Sequence, residues 1–195
     1  MLKNDNWIAE QAAQGMISPF KSSMVRRVGD HRVISYGLGS YGYDIRLSPK
    51  DFRVFRRVAG AVVDPKDFDA RSLEQAELCR DEHGEFFIVP GHSYGLGVAL
   101  ERLVVPHNVS VLCLGKSTYA RAGLIANITP AEAGWAGHLT LEFSNSSPAD
   151  MRLYAGEGVV QLLFFEGEPC NVPYGDRAGG GKYRGQGEFV VLPRV

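Results

Sequence analysis

Apolar and polar residues alternate along most of this chain. In GHLTLEFSNSS, residues 137–147, Leu139, Leu141 and Phe143 fall on one face, and His138, Thr140, Glu142 and Ser144 on the other. That two-residue period predicts a half-buried β-strand. Similar short runs follow one another from residue 85 onward: EFFIVP, SYGLGVAL, RLVVP, VSVLCLG, GLIANIT, MRLYA, GVVQLLFFE, CNVPY and FVVLP. Turn residues separate them at roughly 8–12 residue intervals, the spacing of an all-β sandwich or barrel. Upstream, FRVFRRVAGAVVD (52–64) alternates like a further strand, and VISYGLGSYGYDIRLS (33–48) is glycine-rich, with strand character returning at 43–47.

The helical period surfaces at one end. NDNWIAEQAAQG predicts a short amphipathic helix that Asn4 or Asp5 can cap and Gly15 can end. DPKDFDARSLEQAELCRDEHG predicts a turn at Asp64–Pro65 and a helical turn. GDRAGGGKYRGQGEF, residues 175–189, is too glycine-rich for a packed strand and reads as a mobile basic segment. There is no internal repeat and no linker, so residues 1–195 are expected to form one domain.

Composition narrows the function classes. A chain of 195 residues can bury a sizeable core. A formal charge of −1 argues against general binding to nucleic acid or a membrane surface. No run is as long as a membrane span and the N-terminus lacks an apolar signal core, which leads to an expectation of a cytoplasmic protein. Cys79, Cys113 and Cys170 are odd in number and far apart, as expected of reduced thiols.

Two segments have the composition to hold an anion. In LGKSTYARAGL, Gly115 ends an apolar strand, and Lys116, Ser117, Thr118 and Arg121 then cluster within six residues. Hydroxyls and backbone amides donate to phosphate oxygens and Arg can fork onto two of them. The glycine-lysine spacing of a P-loop is absent. The second segment, GGGKYRGQGEF, carries Lys182, Arg184 and Gln186 on a backbone that could fold over an anionic ligand. The plain alternatives are a polar helix start and a solvated loop. Zinc signatures are missing: there is no C-x-x-C, no H-E-x-x-H, and the five His are scattered. Mg²⁺ carried by a nucleoside triphosphate needs few protein ligands and is compatible with the chain. Covalent catalysis has no support, since Ser117 lacks a nucleophile elbow. Glu142 taken alone is an ordinary surface residue, and Tyr41, Tyr43 and Asp44 are read as packing around a glycine turn.

In order and separation, LGKSTYARAGL…ITPAEAGWAGHLTLEFSNSSP…YAGEGVVQLLFFEGEPC…PYGDRAGGGKYRGQ resembles the dCTP deaminase family, and ISYGLGSYGYDIRL and VVDPKDF extend the likeness into the first half. The resemblance implies a mainly β fold: a distorted antiparallel β-barrel of the dUTPase-like kind, here with a short N-terminal helix. It implies a homotrimer with active sites between subunits. The implied reaction converts dCTP to dUTP and ammonia without zinc, with Mg²⁺ on the triphosphate, in the supply of dUMP and thymidylate, and dTTP is a feedback inhibitor of such enzymes. By position, Glu142 matches the general base and acid. Lys116, Ser117, Thr118, Tyr119, Ala120 and Arg121 match the segment that holds phosphates, with Ser117 and Arg121 acting on the reacting water and the charge in the site. Thr140 and Leu141 match backbone positions beside the pyrimidine; Gln161, Tyr174, Lys182 and Gln186 match the remaining nucleotide contacts.

This chain departs from some relatives in two ways. Its loop before the Trp is shorter, leaving Glu132 as the candidate for a sugar contact, and Lys116 stands where others carry Arg, keeping the charge but losing the fork. Three rivals remain open: a bifunctional enzyme forming dUMP, a dUTPase-like pyrophosphatase, and a non-catalytic nucleotide-binding protein. The motifs at residues 128–143 and 182–189 depart from the dUTPase pattern.

Overall fold

The computed structural model describes residues 1–56, 60 and 62–195. Helix α1 (Asp5–Ala13) forms where the pattern places it. Asn4 caps it, its side chain accepting from the Trp7 N–H at 3.2 Å, and Gly15 follows at φ +95°. The chain then continues almost wholly in strands. β1 (Ile17–Ser18), β2 (Val25–Val28), β3 (His31–Gly39) and β4 (Gly42–Phe55) precede β5 (Leu73–Gln75), β6 (Cys79–Asp81), β7 (Gly84–Val89), β8 (Tyr94–Val104) and β9 (Val109–Gly115). A single helical turn, α2 (Ser117–Ala120), leads to β10 (Leu124–Ala126), β11 (Ala136–Asn145), β12 (Met151–Tyr154) and β13 (Gly158–Glu166).

Ten strands make one curled sheet whose main path runs β10-β11-β8-β4-β13-β9, with β1, β2, β3 and β5 attached beside it. Every strand pairing in it is antiparallel. The two ends of the path approach each other, tied by a bridge between Val111 and Ala131, so the sheet forms a half-barrel. A three-stranded sheet, β12-β7-β6, packs against it. The mainly β, antiparallel barrel-like architecture with a short N-terminal helix expected from the sequence is the observed one.

The inward face of β11 supplies Leu139, Leu141 and Phe143 to the main core, as its alternation requires. Phe52 stacks on Phe87 at 5.0 Å and on Phe143 at 6.3 Å. Large side chains buried to this degree each contribute about 1.5–3 kcal/mol. Phe52 reaches them by lying flat across β8, where a Cβ on Gly95 would come within 2.7 Å of its ring and one on Gly97 within 2.6 Å of Leu47. Glycine at these two positions is a condition of the packing.

Several local expectations are corrected. The glycine-rich 33–48 segment is strand nearly throughout, because β3 and β4 form a hairpin that turns between Gly39 and Gly42. The stretch 64–84 contains a 3₁₀ turn at Ala70–Ser72 but also the short strands β5 and β6. CNVPY and FVVLP run without strand ladders. Of the alternating run 52–64, β4 takes the part up to Phe55; Arg57, Val58, Ala59 and Ala61 lie outside the described residues. The three cysteines are free thiols, and among the described residues no helix is long and apolar enough to cross a membrane.

Candidate active site

The second face of β11 does not open onto water. Across from it on β8, Leu96 pairs with Glu142 and Tyr94 with Ser144. Leu73, Leu96 and Val190 form a smaller apolar cluster here, flanked by Phe55, Phe68, Tyr94 and Leu192. The C-terminal segment lies over this face. Gln186 accepts the His138 N–H on its backbone oxygen at 3.0 Å and the Thr140 hydroxyl on its side-chain oxygen at 3.0 Å. The Val191 N–H donates to Thr140 Oγ1 at 3.1 Å, and the Val190 N–H to Asp51 Oδ2 at 2.8 Å. Gly137, at φ +141°, allows this approach, since a Cβ there would sit 2.7 Å from the Gln186 nitrogen. The segment expected to be mobile is therefore stitched to β11 at Gln186, and the residues just after it are held by Asp51 of β4 at Val190 and by β11 at Val191.

Between strand and strap lies a cleft of about 490 Å³. Tyr94, Trp135, Tyr174 and Tyr183 give it aromatic walls, and Thr140, Glu142, Gln186 and Glu132 supply polar groups. Glu142 Oε2 is buried and has no hydrogen-bond partner among the described residues. Burial pushes the Glu142 carboxyl up to about 7, its backbone hydrogen bond pulling weakly the other way. Proximity of Arg121 would have lowered it, but Arg121 does not line the cleft, and burial prevails. A carboxyl poised near neutrality in an aromatic cleft, with one oxygen lacking a protein donor, is suited to exchange protons with a bound molecule.

The free edge of β11 adds a second feature. β10 covers it from Phe143 to Asn145, the Asn127 N–H bonds to the Glu142 carbonyl at 2.9 Å, and Gln186 bridges Gly137. Between these contacts no strand among the described residues pairs with Thr140 and Leu141 on that edge. The Leu141 side chain is in the core, so only its backbone can serve a ligand.

The phosphate-type residues lie elsewhere. Ser117, Thr118, Ala120 and Arg121 are exposed on and just after α2, and neither Ser117 nor Arg121 lines the Glu142 cleft. The Tyr119 ring is core: it is buried, its hydroxyl accepts the Tyr154 N–H at 2.9 Å, and burial raises its pKa. Lys116 is ion-paired with buried Asp44 and donates to Ser35 Oγ at 3.3 Å. Gln161 sits between Leu114 of β9 and Asp44 of β4, on this same side. Of the residues singled out in the sequence, the fold thus brings together Thr140, Leu141, Glu142, Tyr174 and Gln186, and groups Lys116–Arg121 with Gln161 at a second place. Lys182 is exposed and lines neither. Glu132 reaches the cleft but is paired with Arg177, whose Nη1 lies 3.1 Å from Glu132 Oε1 and whose guanidinium covers the Tyr174 ring.

Sequence reasoning missed Asp44 as the partner of Lys116, and Tyr94 and Trp135 as cleft walls. The apolar-to-polar alternation marks such residues only as strand or core. Among the described residues, no three His, Cys, Asp or Glu side chains gather as a metal-ligand set.

Comparison with known proteins gives a consistent result. The family model described as dCTP deaminase-like matches residues 2–167. A dCTP deaminase of Halorhodospira halophila is 51% identical, covering 99% of this chain and 98% of that protein. One from Paracidovorax citrulli is 50% identical, covering 100% of this chain and 99% of that protein. Among solved structures, a 2'-deoxycytidine 5'-triphosphate deaminase from Agrobacterium tumefaciens superposes with a TM-score of 0.58 at 17% identity, covering 85% of this chain and 48% of that one, a likeness of fold.

Proposed function

The chain belongs to the dCTP deaminase-like family, and on that footing we propose that it hydrolyses the amino group of dCTP, releasing dUTP and ammonia. The observation that carries the chemistry is Glu142: a carboxyl raised to about 7, with a buried oxygen that no protein donor satisfies, in a cleft of nucleoside size. Ionised, it takes a proton from a water aligned on C4 of the cytosine as the C–O bond forms. Protonated, it passes that proton to N3; it then takes the second proton from the new C4 hydroxyl and passes it to the amino group, which leaves as ammonia as the C–N bond breaks and the C4 carbonyl forms. General acid–base catalysis of this kind is worth about 10²–10⁴ in rate, and positioning supplies the rest. The free backbone edge at Thr140 and Leu141 reads the base, while Tyr174 and Gln186 flank the nucleotide. Water is activated by the carboxylate without zinc, and Mg²⁺ enters as part of the substrate, on its triphosphate.

Ser117 and Arg121 complete the site from another subunit of a homotrimer. Two observations support this. The exposed hydroxyl and cation do not line their own chain's Glu142 cleft. Leu112, Leu114 and Phe165 are also exposed together on one face of the β9–β13 pair, an apolar surface suited to a second copy. Lys182 and Glu132 join the phosphate and sugar contacts once substrate draws the C-terminal segment inward. The proposed setting is the cytoplasm, upstream of dUMP and thymidylate, with dTTP competing for the same cleft.

Product analysis tests the reading. Metal-stripped protein is incubated with dCTP and added Mg²⁺ and the nucleotides are separated by ion exchange. Accumulating dUTP is the expected result. Accumulating dUMP with pyrophosphate would assign the bifunctional reaction, and unchanged dCTP with hydrolysis of dUTP in a parallel tube would overturn the role given to Glu142.

A further inference from the structure

A second groove, of about 640 Å³, opens on the other side of α2, between Thr118 and the β2–β3 hairpin. Arg26 and Arg27 of β2, Arg32 of β3 and His83 of the β6–β7 turn line it. In the hairpin register Arg27 stands directly opposite Arg32. Like charges in that position destabilise a strand pair. Among the described residues, none of the three guanidiniums has a carboxylate within ion-pair distance; Arg27 Nη2 donates only to the Asp30 backbone oxygen, at 2.9 Å. The acid on the groove wall is Glu157, and it is already engaged: its Oε2 accepts the Ile34 N–H at 2.6 Å, and burial raises its proton affinity. Glu82 lies near the rim, with Oε1 3.9 Å from His83 Nε2. A chain of net charge −1 has therefore gathered three unpaired guanidiniums in one concavity, at a cost in self-repulsion.

We propose that this concavity is a polyphosphate-binding groove. Guanidinium forks match the geometry of phosphate oxygens, and an anion between Arg27 and Arg32 turns their repulsion into shared attraction. The groove is continuous with the proposed phosphate segment. Thr118 forms part of its wall and directly follows Ser117, and Ser35, also on the wall, takes a hydrogen bond from Lys116 at 3.3 Å. The polyphosphate comes from one of two sources: the distal phosphates of the substrate, which rests on the deaminase reading, or a second nucleotide bound beside it.

The test is calorimetric titration of the whole protein with inorganic tripolyphosphate. Arg26→Ala/Arg32→Ala is expected to weaken binding by about tenfold or more, through the loss of charge-assisted hydrogen bonds. Arg26→Lys/Arg32→Lys should recover part of that loss. Arg56→Ala/Arg71→Ala removes the same charge outside the groove and should leave the affinity within about twofold, given screening at physiological salt. Absent binding by the wild type, unchanged affinity in Arg26→Ala/Arg32→Ala, or an equal loss in the control would overturn the proposal. Kinetics on dCTP then separate the sources: a raised KM at unchanged kcat assigns the substrate's own phosphates, and an unchanged KM assigns a second polyphosphate. The titration needs no turnover, so a wild type that binds tripolyphosphate but releases no ammonia from dCTP would sink the deaminase reading and leave the groove standing.

Discussion

The Glu142 cleft and the Ser117–Arg121 turn are assigned to one reaction but occupy opposite physical settings. Glu142 is held on β11, walled by aromatic rings and overlaid by the C-terminal strap. Burial there raises its pKa and makes it a usable base near neutrality. Ser117 and Arg121 stand on a single helical turn in solvent, where a cation stays hydrated and a hydroxyl costs nothing to expose. A proton-transfer group gains from a rigid, poorly solvated mount, whereas groups for a highly charged triphosphate must remain reachable until it arrives. Within one subunit the two groups stay apart: neither Ser117 nor Arg121 lines the Glu142 cleft.

The largest expected effect breaks the cleft alone. Glu142→Gln keeps the volume and removes the base, so kcat on dCTP should fall about 10³-fold or more while nucleotide affinity, measured by calorimetry, stays within about threefold. Wild-type turnover in that variant would remove Glu142 from the mechanism. The next experiment asks whether the two regions meet across subunits. Glu142→Gln and Ser117→Ala proteins, each nearly inactive, are unfolded and refolded together. Random mixing in a closed ring leaves about one site in four with both native residues, so activity should return to about a quarter of wild type. No recovery would mean that one chain supplies both halves.

A third experiment concerns what anchors the exposed turn. Lys116→Met leaves the buried Asp44 carboxylate without its cation, and breaking such a pair costs about 3 kcal/mol. Denaturant unfolding reads that loss, and an unchanged midpoint would show that the pair contributes little. The smallest effect concerns the raised carboxyl. Folded Glu142 holds its proton up to about 7, against a usual value of 4.5. The stability this protonation confers is fully present below the unfolded value and is lost as pH rises through about 7. Glu142→Gln lacks that loss and should be more stable than wild type by up to about 3 kcal/mol at pH 8, with the difference vanishing near pH 4. The same ionisation should place the acid limb of kcat/KM near 7 if the cleft alone sets it, and lower if a partner's Arg121 approaches Glu142 in the assembled site.

Much of this architecture was legible beforehand. The alternation of Leu139, Leu141 and Phe143 against Thr140 and Glu142 specifies the strand, its core face and the side on which Glu142 lies, because side chains on a strand alternate with a strict period of two. Asn4 and Gly15 likewise mark the limits of α1 through local backbone chemistry. The order of LGKSTYARAGL, TLEF and KYRGQ was enough to point to the family. The glycine-rich stretch 33–48 misled, since Gly37 and Gly42 serve close approach to the backbones of Ser23 and Leu162 within the sheet, which their neighbours in sequence do not show. Composition made residues 175–189 look loose for the same reason: the hydrogen bonds of Gln186 go to Gly137's neighbours, some fifty residues away in the chain.

By itself the sequence determined periodicities, caps and the identity of the reactive groups, which depend on interactions within a few residues. Only the tertiary structure decided how those groups are used. It turned the polar face of β11 into the floor of an aromatic cleft and raised the Glu142 carboxyl by desolvation. It committed Lys116 to Asp44, seventy-two residues away, and set three arginines around a groove beside Thr118. Burial, ion pairing and charge density arise from distant segments brought within a few ångströms, and no local pattern encodes them.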